Sequence, residues 1–339
     1  MLGGMPLYEH LADLGLSVDG YTIERRQIDV STKFTRVTTT VVMHGGGHRG
    51  QGEDVAYTAD DHLDFPEALP LAGARSLREL SARLDAETLY PHEPAMEAAR
   101  DYRRWAFESA ALDLALRQAG VSLATAVERT ARPVRFVAST RGDIDGWMAA
   151  DPALEFKLDP EESWDAARIA KLAATGRVRV LDLKGYYHGT GVDLEPDPVL
   201  YRAIATGFAD AVIEDPWLEG ECREVLRPAD DRLSFDAPIH SLADVDALPV
   251  SPRWLNIKPS RFGTVQRLLE CIEACEERGI RMYGGGQFEL GVGRHQIQTL
   301  ASVFYPDTPN DVAPGVYNEG DPRHGLPQSP LPALDEVGF

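Results

Sequence analysis

From about residue 132 onward the chain keeps returning to one pattern, a short apolar, strand-like run followed by a helical stretch. The runs are VRFVAST, LEFKLD, VRVLDLK, DAVIEDP, RLSFD, WLNIKP and IRMYGGG. Helical segments separate most of them, among them ESWDAARIAKLAATG, DPVLYRAIATGFA and TVQRLLECIEACEERG. Strands that alternate with helices predict a parallel sheet, because parallel neighbours need a long crossover between them. Seven such units overfill a small open sheet and suit a closed (β/α) barrel.

The first 130 residues follow a different rhythm. YTIERRQIDV and FTRVTTTVVMHGGG alternate apolar and polar residues, the period of half-buried antiparallel strands. GGGHRGQGE then reads as a long turn. Two helical stretches follow, ARSLRELSARLDAE and EPAMEAARDYRRWAFESAALDLALRQAG, the second stopped by Gly120. This is an α+β region, and it includes the helix that leads into the barrel. The expected organisation is therefore an α+β capping domain over 1–130, a barrel over 131–315 and a proline-rich, extended return segment over 316–339.

Charge narrows the partners. With 54 acidic against 34 basic residues the net charge is −20, which argues against nucleic acid or an anionic membrane surface as a partner. No run approaches the length of a membrane span, and MLGGMPLYEHLADLG lacks the pattern of a secretory signal. The three cysteines are an odd count, so a disulfide framework is not expected. Cys271 and Cys275 read as reduced core residues, and the expected address is the cytoplasm. The sequence leaves room for a homo-oligomer without specifying one.

Charged residues end four consecutive runs: Asp182 in VLDLK, Glu214 in VIEDP, Asp236 in LSFD and Lys258 in LNIKP. In a barrel the carboxyl ends of the strands converge on one mouth. Three carboxylates brought there together repel one another unless a hard cation binds them, and Mg²⁺ keeps coordination sites open for a substrate. A single strand-end carboxylate is as often a surface ion pair; three on adjacent strands beside a lysine favour a metal site. Lys258 raises its own question, since a cation leaving a buried strand costs solvation unless something uses it.

These residues, in this order, resemble the enolase superfamily, and in particular its branch of muconate-lactonizing enzymes, o-succinylbenzoate synthases and N-acylamino acid racemases. AFESAALDLALRQAGVSLATAV is similar to that family's helix leading into the barrel, and GQGED to its Gly-x-Gly-Glu turn in the cap. VIEDP, NIKPSRFG and GGGQFELGVGRH resemble its fourth, sixth and seventh barrel strands. The resemblance spans nearly the whole chain. It implies an α/β fold, a modified TIM barrel of (β/α)7β form with an N-terminal α+β cap. It also implies an enzyme of the lyase or isomerase kind, with Mg²⁺ as cofactor and Mn²⁺ as a substitute. Its substrate would be a small carboxylate that loses its α-proton, leading to elimination, cycloisomerisation or epimerisation. The metal ligands would be Asp182, Glu214 and Asp236, and Lys258 would be a base or a stabiliser of the enolate.

The chain departs from that pattern at two neighbouring strands, and again on the fifth, where Ala237 follows Asp236 and the family often has a Glu. Where the branch has Lys-x-Lys on the second strand, this sequence reads Lys157-Leu158-Asp159. Where it has Asp-x-Asn on the third, this sequence reads Asp182-Leu183-Lys184. Side chains two apart on a strand share a face, so Lys184 should enter the same mouth as Asp182. Lys184 then either replaces the missing base or forms an ion pair with Asp159, and both residues are candidates beside Lys258. Lys157 is a candidate substrate contact. So are Glu289 on the seventh strand, His188 in the loop after Lys184, and His48 in GGGHRGQG. That glycine-rich segment opens no helix and lacks a following Lys-Ser/Thr, so it reads as a hairpin turn or a mobile lid rather than a phosphate loop. Two other functions compete: a catalytically silent relative that binds metal and carboxylate, and a metal-dependent barrel hydrolase. The second is disfavoured because VRFVAST carries no His-x-His pair.

Overall fold

A computed structural model describes residues 5–31, 34–66, 68–187, 194–318 and 321–339. The cap opens with α1 (Glu9–Ala12) and β1 (Gly15–Val18). The antiparallel strands β2 (Gly20–Ser31), β3 (Phe34–Gly45) and β4 (His48–Asp54) form a meander. β5 (Gly73–Ser76) pairs with β1, and the helices α2 (Leu77–Asp85), α3 (Ala99–Ala119) and α4 (Leu123–Ala126) follow. α2 starts on a capping box in which Ser76 and Glu79 bond reciprocally. α3 ends at Gly120, whose φ of 71° is the left-handed cap that the sequence suggests.

The glycine-rich segment is a tight hairpin, shorter than the long turn its composition suggests. Only Gly46 and Gly47 connect β3 to β4, and both have positive φ (55° and 79°), as a two-residue turn matching the strand twist requires. The remaining glycines of GQG belong to the strand. A Cβ at Gly50 would lie 2.3 Å from the Ala110 carbonyl oxygen, and one at Gly52 would lie 2.1 Å from that of Ala106. They let β4 pack directly on α3, so a phosphate-cradling role has no support in this geometry.

The barrel follows in strict alternation. Its strands are β6 (Ala138–Thr140), β7 (Phe156–Leu158), β8 (Val178–Asp182), β9 (Val212–Glu214), β10 (Leu233–Phe235), β11 (Trp254–Ile257) and β12 (Arg281–Gly284). The crossover helices are α5 (Ile144–Ala150), α6 (Ala166–Ala174), α7 (Pro198–Gly207), α8 (Gly220–Leu226), α9 (Leu242–Asp246), α10 (Val265–Arg278) and α11 (Val292–Phe304). The seven strands form one sheet in sequence order, all pairs parallel. Parallel bridges Gly285–Asp311 and Phe136–Asn310 then join its two edges through residues 310–311. This is the (β/α)7β ring expected from the spacing.

Cap and barrel share one apolar core, which runs from Leu11 and Phe107 to Phe156, Ile257 and Leu269. Polar contacts join them as well. Glu53, at the end of β4, accepts from the backbone N–H groups of Leu290, Gly291 and Gly293 at 2.8–3.0 Å. A cap residue thus supplies the anion at the amino terminus of barrel helix α11, where unpaired N–H groups and the helix dipole favour one. Burial, opposed by these bonds, raises the Glu53 pKa. Buried Arg36 of β3 donates to the carbonyls of Gln287 and Phe288 in the loop after β12. The tail returns along the molecule: Leu331 bridges Val134, and Phe339 N–H donates to Asp113 at 2.8 Å. Among the described residues no helix is long and apolar enough to cross a membrane.

Candidate active site

The carboxyl ends of β7 to β11 deliver the polar residues. Asp182 ends β8 and pairs in register with Glu214, which ends β9. Asp236 follows β10, and Lys258 follows β11. Asp182, Glu214 and Asp215 are buried, and each offers an oxygen within 4.8 Å of the others. Asp215 was missed by sequence reading because strand alternation sends the neighbour of Glu214 to the opposite face. Its φ of 47° breaks that alternation and turns the side chain back toward the mouth. There its oxygens accept the backbone N–H groups of Asp236 and Ala237 at 2.8 and 2.9 Å.

Each remaining carboxylate faces a cation. Lys157 Nζ lies 2.6 Å from Glu214, 3.2 Å from Asp182 and 3.5 Å from Asp311. Asn256 and Tyr283 also donate to Glu214, at 3.2 and 2.5 Å. Asp236 is held by Lys258 at 2.8 Å and by Arg261 at 3.0 Å, and Tyr187 donates to it at 3.2 Å. Lys184 bonds the Asp182 carboxylate and lies 3.6 Å from Asp159, which also takes two bonds from Arg141 at 2.9 and 3.0 Å.

Lys184 reaches this mouth by a route other than the one expected. β8 stops at Asp182, and Lys184 sits beyond the strand with φ 54°. It is a left-handed turn, not strand alternation, that brings its ammonium back onto Asp182.

Burial and charge set opposite protonation tendencies within a few ångströms. Burial, opposed by Lys157 and reinforced by the acidic neighbours, raises Glu214 to about 8, and burial together with Asp236 and Asp182 raises Asp215 to about 7. Asp236 goes the other way, because Arg261 and Lys258 overcome its burial and hold it at about 2. Asp182 is likewise lowered, by Lys184 and Lys157. Burial would lower Lys184, but Asp182 and Asp159 raise it above its usual value, opposite to the depression expected of a lysine base.

Several candidates stand elsewhere. Glu289 lies past the end of β12, accepts from Gln287 N–H at 2.6 Å and pairs with Arg294 at 3.1 Å, so it serves the cap junction and does not meet a site lysine. His48 is exposed at the hairpin tip, the opposite end of β4 from the Glu53 contact, and is not brought to the mouth. His188 falls outside the described residues. Besides Asp215, the sequence reading passed over Arg141, Tyr187, Asn256, Arg261 and Tyr283. One signal was available for the lysines. Only five of the 34 basic residues are lysine (33, 157, 171, 184 and 258), and three of those five meet here. A chain that uses arginine almost everywhere else keeps lysine where an ammonium lies among strand-end carboxylates.

Comparison with known proteins places this site in context. A family model described as "Domain of unknown function (DUF8230) C-terminal domain" matches residues 130–319, and the corresponding N-terminal domain model matches 9–126. The chain belongs to the DUF8230 family. The fold of this DUF8230 chain is the one seen in solved enolase-superfamily proteins. A superfamily member from Enterococcus faecalis V583 is 19% identical, with a TM-score of 0.71 over 95% of this chain and 94% of that one. A dipeptide epimerase from Methylococcus capsulatus, complexed with Mg ion, is 16% identical, with a TM-score of 0.69 over 94% and 99%. A muconate cycloisomerase from Pseudomonas fluorescens is 16% identical, with a TM-score of 0.64 over 95% and 92%. In sequence, o-succinylbenzoate synthases from Enterococcus faecalis and Bacillus subtilis are 32% identical over 108 residues and 35% over 63. These segments make up 30% and 19% of the DUF8230 chain and only 29% and 17% of those enzymes.

The donor set fits a hard divalent cation. Asp182, Glu214 and Asp215 supply clustered carboxylate oxygens, the ligands that Mg²⁺ prefers, and no soft donor is among them.

Proposed function

We propose that this chain is an enzyme that removes the proton next to the carboxylate of a small acid, using Mg²⁺, with Mn²⁺ as a substitute. The observation that carries this reading is the cluster of buried strand-end carboxylates flanked by Lys184 on one side and Lys258 on the other. Asp182 and Glu214 would hold the metal, with Asp236 or Asp215 as the third carboxylate. The bound metal would supply positive charge where the enediolate's negative charge develops. Lys258 would take the proton or stabilise the enolate as an ammonium, and Lys184 would serve the other face of the substrate. Lys157 is saturated by carboxylates, which supports a role in holding Glu214 over one in touching substrate. Elimination, cycloisomerisation and epimerisation all pass through this step, as in o-succinylbenzoate synthase or muconate cycloisomerase chemistry. Three buried, unbridged cysteines suit a reducing compartment, so we assign the enzyme to the cytoplasm.

The test is α-hydrogen exchange in deuterated water across a panel of small carboxylic acids, with Mg²⁺ and with chelator. Exchange that needs Mg²⁺ and Lys258 supports the reading. Acids that bind in a Mg²⁺-dependent way without any exchange would replace it with the silent binder. One observation favours that second reading: Lys184 is engaged by Asp182 and Asp159, and Asp159 stands where the resemblance expects a lysine.

A further inference from the structure

Lys184 and Lys258 are the groups assigned to proton transfer, yet their side chains are only 15% and 10% exposed. Tyr187 lies against Lys184 and shares an Asp236 oxygen with Lys258. Its ring centroid is 5.2 Å from Lys184 Nζ, near enough for the ammonium to interact with the π face. Its hydroxyl donates to Asp236 Oδ2 at 3.2 Å, the same oxygen that Lys258 Nζ contacts at 2.8 Å, and accepts from Arg261 at 3.3 Å. One side chain rooted just after β8 therefore reaches the group after β10 and the turn after β11.

The backbone beneath it is firmly set. Tyr187 N–H donates to the Lys184 carbonyl at 3.1 Å, and Gly185 N–H donates to that of Asp215 at 2.8 Å. A Cβ at Gly185 would stand 2.5 Å from Trp217 N, so the turn passes where only glycine fits. Tyr186 packs edge-on against Phe235 of β10, with ring centroids 6.3 Å apart. Within this anchored turn, Tyr187 is the residue whose side chain is committed to the mouth.

We propose that Tyr187 bars the barrel mouth between Lys184 and Lys258 and must swing aside before either lysine can meet a bound molecule. That the molecule admitted is a carboxylic acid rests on the function proposed above. The bar itself does not, and it can be read in protein that turns over nothing.

The small number of lysines makes the test direct. The full-length protein, as wild type, Tyr187→Phe and Tyr187→Leu, is treated briefly with acetic anhydride and, separately, with the bulkier trinitrobenzenesulfonate. Modification is read lysine by lysine by peptide mass spectrometry, relative to exposed Lys171. Tyr187→Phe keeps the ring but loses the hydroxyl. With one latch of the bar gone, modification of Lys184 and Lys258 should rise together by about fivefold, the factor one hydrogen bond is worth. Tyr187→Leu should raise both, and a cover requires the gain to be larger for the bulky reagent. Lys157, whose side chain is 3% exposed, reports on the barrel and should stay unmodified throughout. If Tyr187→Leu opens the barrel, the Tyr187→Phe result at Lys184 and Lys258 decides alone. Unchanged modification of either lysine in Tyr187→Phe, or equal gains for both reagents, would overturn the proposal.

Discussion

The two sides of the barrel mouth solve the same problem differently. On the side of β10 and β11, Asp236 and Lys258 stand where the resemblance expects them and form one tight group with Arg261, at 2.8 and 3.0 Å. On the side of β7 and β8, the carboxylate and the lysine are exchanged: Asp159 occupies the lysine position, and Lys184 arrives by a left-handed turn. The comparison teaches that a cation can be kept at a site while its root in the chain moves to the next strand. Its cost is visible in the backbone, since a non-glycine residue held at positive φ is strained by about 1–3 kcal/mol.

The sharpest way to break the comparison is to remove each lysine in turn. Lys258→Met should lower α-proton exchange by about 10²–10⁴, the usual worth of a general base. If the two sides are equivalent in function, Lys184→Met will lose exchange on the opposite face by a comparable factor with Mg²⁺ affinity nearly unchanged. If Lys184 only balances Asp159, then Lys184→Met with Asp159→Asn will recover most of what the single change lost. Full recovery would leave Lys258 as the only base.

A second measurement concerns the residue beneath both sides. Lys157→Met strips the ammonium from Glu214 and Asp182, so thermal melting should report a loss of about 3–5 kcal/mol in metal-free protein. Mg²⁺ should restore part of it, and no restoration would argue that these carboxylates do not bind the ion. Smaller again is the pH effect. Raised pKa values on Glu214 and Asp215 mean the protonated form is favoured in the folded state, so this stability is fully present below the usual carboxylate range and is lost as the pH rises from there through about 7 to 8. The melting temperature of metal-free protein should fall over that window, and excess Mg²⁺ should flatten the slope. The mildest prediction applies to the whole surface. A net charge of −20 repels itself, so added neutral salt should raise the melting temperature, most at low ionic strength. A flat response would show that the charges are already locally paired.

The barrel was legible because period and order carry it: all seven strand-like runs became strands, in sequence order. Strand-end residues Asp182, Glu214, Asp236 and Lys258 were legible for the same reason. What alternation could not convey was any residue whose backbone leaves the strand region. Asp215 and Lys184 both have positive φ, and both occupy positions that a period of two misplaces or explains wrongly. The surroundings of Glu289 and His48 were not legible, because a motif says which residues are near in sequence, whereas Glu289 pairs with Arg294 and His48 lies at the far end of its strand. Tyr187 escaped because its partners come from distant parts of the chain, Asp236 and Arg261.

The bond between Glu53 and the start of α11 has a consequence for anyone who wishes to recombine such proteins. Residues 1–130 invite treatment as an exchangeable module, to be swapped so that a new cap brings a new preference. Yet the terminal glutamate of the cap sheet finishes a helix of the barrel, and the fit there is close: a Cβ on Gly293 would lie 2.9 Å from the Glu53 carboxylate. A chimera must therefore inherit Glu53 together with Gly291 and Gly293, or it will carry a helix with an open end in the middle of its interface. The functional seam of the molecule runs through α11, some 160 residues beyond the place where the sequence changes rhythm.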